Sequence, residues 1–194
     1  MKTEYEAKFL NVDIEAIRSR LKELGAELEK PMRLMRRVTI DNVEMKKKNA
    51  FVRVRDEGDR TTVTYKQFDA LSADGAKEHE VVVNDFEEAV ALLAAAGLPQ
   101  GSFQESKRET WKHGDVEVMI DEWPWLSPYI EVESTSVEQV KDFSEKLGFN
   151  WDDAVFGDVM AAYRAEYPHL SEEDTVGNVA ELKFGDPLPS LLQN

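Results

Sequence analysis

The sequence predicts an α+β protein, an eight-stranded antiparallel closed β-barrel with a charged lumen and helices packed outside. Eight segments alternate polar and apolar side chains with the two-residue period of a strand, and short turns join most consecutive strands. Three amphipathic helical segments fall between or after the strands and need an apolar sheet surface to cover. Because an antiparallel sheet of eight strands tends to close, we expect one domain over residues 1–194.

The first half of the chain contains four predicted strands and one predicted helix. Ile14, Ile17 and Leu21 recur at helical spacing, with Asn11 or Asp13 as a candidate N-cap and Pro31 as a stop. The residues 57–59 indicate a hairpin turn. The predicted ranges are 2–10 for the first strand, 13–28 for the helix, and 33–41, 50–56 and 61–68 for the next three strands.

The second half contains four more predicted strands and three more helices. Two of these helices, 85–96 and 137–147, follow from apolar residues at helical spacing, and a hairpin turn at residues 113–115 joins two of the strands. The predicted strands are 78–83, 103–112, 116–122 and 129–133, the predicted helices are 85–96, 137–147 and 153–167, and a final ordered stretch covers 179–184.

The composition excludes several classes of function. Cysteine is absent, which removes disulfides, thiolate metal sites and cysteine nucleophiles. A net charge of -15 argues against sequence-independent binding to nucleic acid. No apolar run approaches a membrane span, and the charged start of the chain does not resemble a signal peptide. We therefore expect a cytoplasmic protein that binds neither nucleic acid nor membrane, with a homodimer left open.

The charged residues of the strands fall on one face. In the first strand Glu4, Glu6 and Lys8 point to the same side, because residues two apart in a strand share a face. In a single strand this pattern is typical of a sheet with its polar face in water. In a closed sheet the helices cover the apolar outer face, so the charged faces must line the lumen. The residues predicted to line it are Glu4, Glu6, Lys8, Arg53, Arg55, Lys66, Glu78, Glu80, Arg108, Asp121, Glu131 and Glu133.

A lumen with both signs of charge is costly unless ligands pair with those charges. Carboxylates without a cysteine or histidine cage favour hard cations, so Mg²⁺ or Mn²⁺ is the expected cofactor. Arginine and lysine side chains in the same cavity favour a polyanion, and arginine suits phosphate. The sequence has no phosphate-binding glycine loop, so side chains must supply the contacts. Metal ions together with a polyphosphate satisfy both sets of charges.

These motifs resemble those of the CYTH superfamily, the triphosphate tunnel metalloenzymes. That family includes class IV adenylyl cyclases, thiamine triphosphatases and inorganic triphosphatases. The sequence Glu4-Tyr5-Glu6-Ala7-Lys8 is similar to its Glu-x-Glu-x-Lys signature, at the start of the chain. The other matching positions follow in order: Arg53 and Arg55, Lys66, Glu78 and Glu80, Lys107 and Arg108, Asp121, and Glu131 and Glu133.

The resemblance implies a role for each site residue. The implied metal ligands are Glu4, Glu6, Asp121, Glu131 and Glu133, to which we add Glu78 and Glu80. The implied substrate-binding residues are Lys8, Arg53, Arg55, Lys66, Arg108 and Lys183, and the residues expected to act in catalysis are Glu4, Lys8 and Lys66. One position departs from the family pattern, since the second strand reads Arg37-Val38-Thr39-Ile40-Asp41 where many members carry Asp-x-Tyr. That departure weakens an assignment to thiamine triphosphate.

The resemblance implies a metal-dependent triphosphatase acting on inorganic tripolyphosphate or on a nucleoside or other organic triphosphate. The same charges could position the ribose hydroxyl of ATP for attack on the α-phosphorus, which would make cyclic AMP. A third alternative is a sensor that binds polyphosphate without turnover. The expected partner in each case is a small-molecule triphosphate.

Overall fold

The computed structural model describes residues 1–193 and confirms the closed antiparallel barrel. Its strands follow the order β2-β3-β4-β5-β1-β8-β7-β6, and β6 pairs with β2 to close the ring. A ninth strand of two residues, β9, pairs in parallel with the start of β6. The strands are β1 (Lys2–Phe9), β2 (Glu27–Ile40), β3 (Ala50–Asp56), β4 (Thr61–Phe68), β5 (Ala76–Val83), β6 (Ser102–His113), β7 (Val116–Glu122), β8 (Tyr129–Ser134) and β9 (Glu181–Leu182).

Five α-helices lie outside the barrel. They are α1 (Ile14–Glu23), α2 (Val43–Lys46), α3 (Phe86–Ala95), α4 (Val137–Leu147) and α5 (Val159–Glu166). Asp13 is the N-cap of α1, where its carboxylate accepts hydrogen bonds from the backbone of Glu15 and Ala16. Within residues 1–193, no helix is long and apolar enough to cross a membrane.

The hydrophobic core lies between the helices and the outer face of the barrel, as the strand pattern predicts. Leu21 of α1 and Phe143 of α4 pack against Val118, Ile120 and other apolar residues of the strands. A second apolar cluster joins α3 to β2 and β3, and a third surrounds α5. Because the apolar faces are used outside, the charged faces are left for the interior.

Two predicted helices and the start of one predicted strand have the wrong limits. The helix predicted over 13–28 ends at Glu23, and Gly25 with a φ of 77° turns the chain into β2, which begins at Glu27. Pro31 stops no helix; it lies in an irregular part of β2, where the pairing with β6 shifts register and a missing N–H is tolerated. The helix predicted over 153–167 is broken, because Gly157 has a φ of 105° and α5 starts only at Val159.

The wall beside β1 is completed by two segments that are not among the eight strands. β1 pairs with β5 only at residues 2–4. Beyond this point the backbone N–H of Glu6 donates to Ala73 O, and Lys8 pairs with Val155 through two backbone hydrogen bonds of 2.9 Å. The chain after Val155 crosses one end of the barrel and continues into α5, which is tied there by a hydrogen bond from Tyr163 Oη to Pro124 O.

Candidate active site in the barrel lumen

The lumen of the barrel, which we call the tunnel, contains a cavity of about 290 Å³. This volume is at the lower end of the range for small-molecule sites. The charged residues that line it are the basic Lys2, Lys8, Lys30, Arg33, Arg37, Arg53, Arg55, Arg60, Lys66 and Arg108, and the acidic Glu4, Glu6, Glu29, Glu57, Glu78, Glu80, Glu117, Glu131, Glu133 and Asp158.

The tunnel concentrates the basic residues of an acidic protein. Ten of the 24 lysines and arginines line it, against ten of the 39 acidic residues, so the cavity is formally neutral inside a chain of net charge -15. An anionic ligand therefore meets far less repulsion in the tunnel than on the protein surface.

A group of arginines and a group of glutamates lie on opposite walls. Four arginines, Arg33, Arg37, Arg53 and Arg55, come from the neighbouring strands β2 and β3. We call this the basic wall. Four glutamates, Glu4, Glu6, Glu131 and Glu133, come from the neighbouring strands β1 and β8, and we call this the acidic wall. The two pairs of strands are four places apart in a ring of eight, so the walls face each other across the tunnel.

Two lysines neutralise part of the acidic wall. Lys8 is buried, and its Nζ lies 2.9 Å from Glu131 and 3.2 Å from Glu6 and donates to Gly157 O at 2.6 Å. Lys66 Nζ lies 2.6 Å from Glu4 and 3.3 Å from Glu6. Burial alone would lower the pKa of Lys8, but the two carboxylates outweigh burial and raise it above its ordinary value. Lys8 therefore stays charged inside the protein.

Arg108 is held in place by a buried carboxylate. Its Nε and Nη2 donate to the two oxygens of Asp121 at 2.7 and 2.6 Å, and Nη2 also contacts Glu131 at 2.5 Å. Asp121 is completely buried and does not line the cavity. The structure therefore places Asp121 behind Arg108, where it orients the guanidinium toward the tunnel.

The acidic wall brings like charges together. Glu133 is directly opposite Glu6 on one neighbouring strand and Glu117 on the other. Burial, together with the charges of Glu4 and Glu6, raises the pKa of Glu133 to about 7. Like charges opposite each other in a sheet are destabilising, and a divalent cation would relieve that repulsion.

The donors of the acidic wall fit a magnesium or manganese ion. All are carboxylates, the ligands that hard cations prefer. Among residues 1–193, no three acidic or histidine side chains already converge on one point. Glu4 and Glu6 would turn from Lys66 and Lys8 toward the ion.

The basic wall carries arginine groups that lack partners. The Nε atoms of Arg53 and Arg55 are buried and make no hydrogen bond within residues 1–193. Arg53 is 3.9 Å from Glu80, and Arg55 Nη2 is 2.5 Å from Glu57. Burial and a neighbouring arginine lower the pKa of Arg55 to about 10, which marks an environment short of negative charge.

The sequence profile of the CYTH domain matches residues 2–151. This chain belongs to the CYTH family. Among curated proteins, none matches the chain significantly.

Solved structures are similar to this CYTH chain across most of its length. The PH1012 protein from Pyrococcus horikoshii has a TM-score of 0.67 at 21% identity, covering 78% of this chain and 93% of that one. A candidate adenylate cyclase from Vibrio parahaemolyticus has a TM-score of 0.71 at 12% identity, covering 82% and 96%. A candidate adenylyl cyclase from Hippeastrum, which shows a dominant triphosphatase activity, has a TM-score of 0.57 at 16% identity, covering 84% and 95%. At these identities the similarity shows the fold alone.

Most of the residues predicted from the CYTH motifs meet in the tunnel. The exceptions are Asp121, described above, and Lys107 and Lys183, which lie outside the cavity. Lys183 Nζ is 2.5 Å from Glu181 and 5.3 Å from the centre of the Phe103 ring. The predicted residues that line the cavity are Glu4, Glu6, Lys8, Arg53, Arg55, Lys66, Glu78, Glu80, Arg108, Glu131 and Glu133.

Sequence reasoning missed part of the basic wall of this CYTH chain. Arg33, Met35 and Arg37 all line the tunnel. They alternate along the predicted strand 33–41, and this alternation places the two arginines on one face. Glu57 was assigned only to a turn, yet it is 3% exposed and contacts Arg55, Arg60 and Lys30. No local signal distinguishes a buried turn glutamate from a solvated one.

Proposed function

We propose that this protein is a metal-dependent triphosphatase that hydrolyses inorganic tripolyphosphate or a nucleoside or other organic triphosphate. The observation that carries the proposal is the pair of facing walls, with carboxylates on one side and, on the other, arginines of which two have a buried Nε without a hydrogen bond. A triphosphate with its divalent cations has the charges that complement both walls.

The acidic wall would hold the cations. Glu4, Glu6, Glu131 and Glu133 provide the carboxylate oxygens, and Mg²⁺ or Mn²⁺ is the expected ion. Such an ion, when bound, supplies positive charge to the phosphates and activates water for attack on phosphorus. Glu78 and Glu80 on β5 extend this wall. Burial and the charge of Glu4 raise the pKa of Glu78 to about 7, so Glu78 gains negative charge as the pH rises through neutrality.

The basic residues would bind the phosphates and neutralise developing charge. Lys8 and Lys66 stand beside the proposed metal ligands and can contact phosphoryl oxygens once Glu6 and Glu4 turn to the ion. Arg53 and Arg55 reach the tunnel from the facing wall, and Asp121 holds Arg108 toward it. Positively charged donors fixed before the reaction stabilise the charge of a transferring phosphoryl group without reorganisation.

The first experiment measures phosphate release from tripolyphosphate, ATP and thiamine triphosphate with Mg²⁺, Mn²⁺ or EDTA. Glu4→Gln tests the acidic wall, and Glu138→Gln, an exposed glutamate of α4, is the matched control. We expect metal-dependent release that falls by about 100-fold or more in Glu4→Gln and is unchanged in Glu138→Gln.

The competing functions give different products. Cyclic AMP and pyrophosphate from ATP would identify a cyclase. Metal-dependent binding of tripolyphosphate without any product would identify a sensor. Either result would overturn the triphosphatase proposal.

A further inference from the structure

Arg37 is a tunnel arginine for which the mechanism above has no role. It lies on β2 directly opposite Arg55 of β3, and both side chains line the cavity. Two like charges in register repel each other, so this arrangement has a cost in the absence of an anion. No carboxylate of residues 1–193 lies within 4.0 Å of the Arg37 guanidinium, in contrast to Arg55, whose Nη2 contacts Glu57.

Gln104 and Trp123 hold the Arg37 guanidinium in a fixed orientation, and two further residues support Gln104. Its Nε donates to Gln104 Oε1 at 2.8 Å, and Gln104 Nε2 in turn donates to Ser102 Oγ at 3.1 Å. Ser102 Oγ donates to the backbone carbonyl of Val179 at 2.6 Å. Gln104 and Ser102 are buried, so the chain of hydrogen bonds is shielded from water. The Cζ atom of Arg37 lies over the ring of Trp123, 4.3 Å from the ring centre.

This arrangement leaves the two terminal nitrogens of Arg37 without a hydrogen bond among residues 1–193. They belong to a fork geometry that matches two oxygens of a phosphate. Burial lowers the pKa of Arg37 to about 10, and the charge of Arg55 lowers it too, while Tyr129 and Asp158 act in the opposite direction. The group remains charged at neutral pH and lacks a counter-ion.

We propose that Arg37 is a further phosphoryl-binding residue, which together with Arg55 holds one phosphoryl group of the substrate at the end of the tunnel next to α5. Trp123, Gly157 and Asp158 line the tunnel at this end. A phosphoryl group carries enough negative charge and oxygen atoms to serve two guanidinium groups at once. The assignment to a substrate rests on the proposed function, but the binding itself does not require turnover.

The test compares Arg37→Gln with Arg36→Gln. Arg36 is the neighbouring residue on the outer face of the same strand, where it pairs with Asp56 and Glu87, so it controls for the loss of one arginine. Binding of sodium tripolyphosphate is measured by calorimetry in EDTA, which prevents metal-dependent turnover. We expect Arg37→Gln to weaken binding by about 10- to 100-fold, the value of a hydrogen-bonded charge, and Arg36→Gln to bind like the wild type.

A conservative variant keeps the test decisive if Arg37→Gln does not fold. Arg37→Lys retains the charge but not the fork, so we expect a smaller loss of affinity than in Arg37→Gln. Equal tripolyphosphate affinity in the wild type and either folded Arg37 variant would overturn the proposal, as would the same loss in Arg36→Gln. If the wild type releases no phosphate from any triphosphate while the binding difference persists, the triphosphatase fails and the role of Arg37 stands.

Discussion

Removing the charge of Glu57 tests how far the basic wall depends on its internal counter-ion. Glu57 is buried at the end of β3, and Arg55, Arg60 and Lys30 surround it. Burial alone would raise its pKa, but the three cations outweigh burial and lower it from 4.5 to about 2. At about 1.4 kcal/mol for each pKa unit, ionisation of Glu57 stabilises the fold by roughly 3 kcal/mol.

The sign of the pH dependence follows from the lowered pKa. A carboxyl whose pKa is lower in the folded than in the unfolded chain stabilises the folded protein. The full contribution is present at pH values above the pKa of that carboxyl in the unfolded chain. That contribution is lost as the pH falls through about 2. Glu57→Gln mimics the protonated group. Because Arg60 is 46% exposed and therefore screened by solvent, we expect the variant to lose about 2–3 kcal/mol at pH 7 and less than half of that at pH 3.

The assay is urea denaturation followed by tryptophan fluorescence at pH 7 and pH 3. Asp59→Asn is the matched control, because Asp59 is 56% exposed and contacts only Lys30 of the same group. Its expected loss is below about 1 kcal/mol at either pH. A loss below about 1 kcal/mol in Glu57→Gln at pH 7, or an equal loss at both pH values, would refute the reasoning.

Three further predictions concern two residues of the tunnel, Glu133 and Lys8, and one residue outside it, Lys183. The pKa of Glu133 is raised to about 7, so without metal the free energy of unfolding should fall as the pH rises from about 4.5 to 7. Thermal melts with EDTA should show this decrease, and added Mg²⁺ should reverse it at pH 8; no effect of Mg²⁺ would contradict the metal assignment. Lys8→Met removes the buried lysine that Glu6 and Glu131 share and should cost about 3–5 kcal/mol in urea denaturation, whereas a loss under about 1 kcal/mol would show that their other partners, Lys66 and Arg108, compensate. Lys183→Ala should leave the rate of phosphate release unchanged because Lys183 lies outside the cavity, and a clear loss of rate would return it to the site.

The predictable parts of the fold are those in which periodicity and burial agree. The ranges of β3, β4, β7 and α4 match their predicted limits, because each has one continuous apolar face bounded by turn residues. Leu24 and Leu28 continue the helical spacing, so the sequence predicts helix through the first two residues of β2. Leu28 is in fact 48% exposed, and the bulges around Pro31 disrupt the strand alternation that would have revealed a strand.

The candidate site was predictable to the extent that strand faces determine it. Alternation places Glu4, Glu6 and Lys8 in the same lumen, and closure of the sheet brings the other strands to them. The roles of individual residues depend on contacts between strands that are far apart in the sequence. Arg108 of β6 pairs with Asp121 of β7, and Asp121 therefore orients Arg108. No pattern within either strand predicts that pairing.

The backbone pairing of Val155 with Lys8 completes the barrel beside β1 and links the candidate site to the order of folding. Lys8 pairs with Val155 and donates to Gly157 O, contacts that span about three quarters of the sequence, so the first strand keeps an open edge until distant residues arrive. Contacts of such separation form late and slow the folding of a domain. The CYTH profile ends at residue 151, before these two residues, so a fragment cut at that boundary would retain the motif lysine without the backbone that fixes it. Lys8 thus makes all of its contacts only when the region after the barrel is in place.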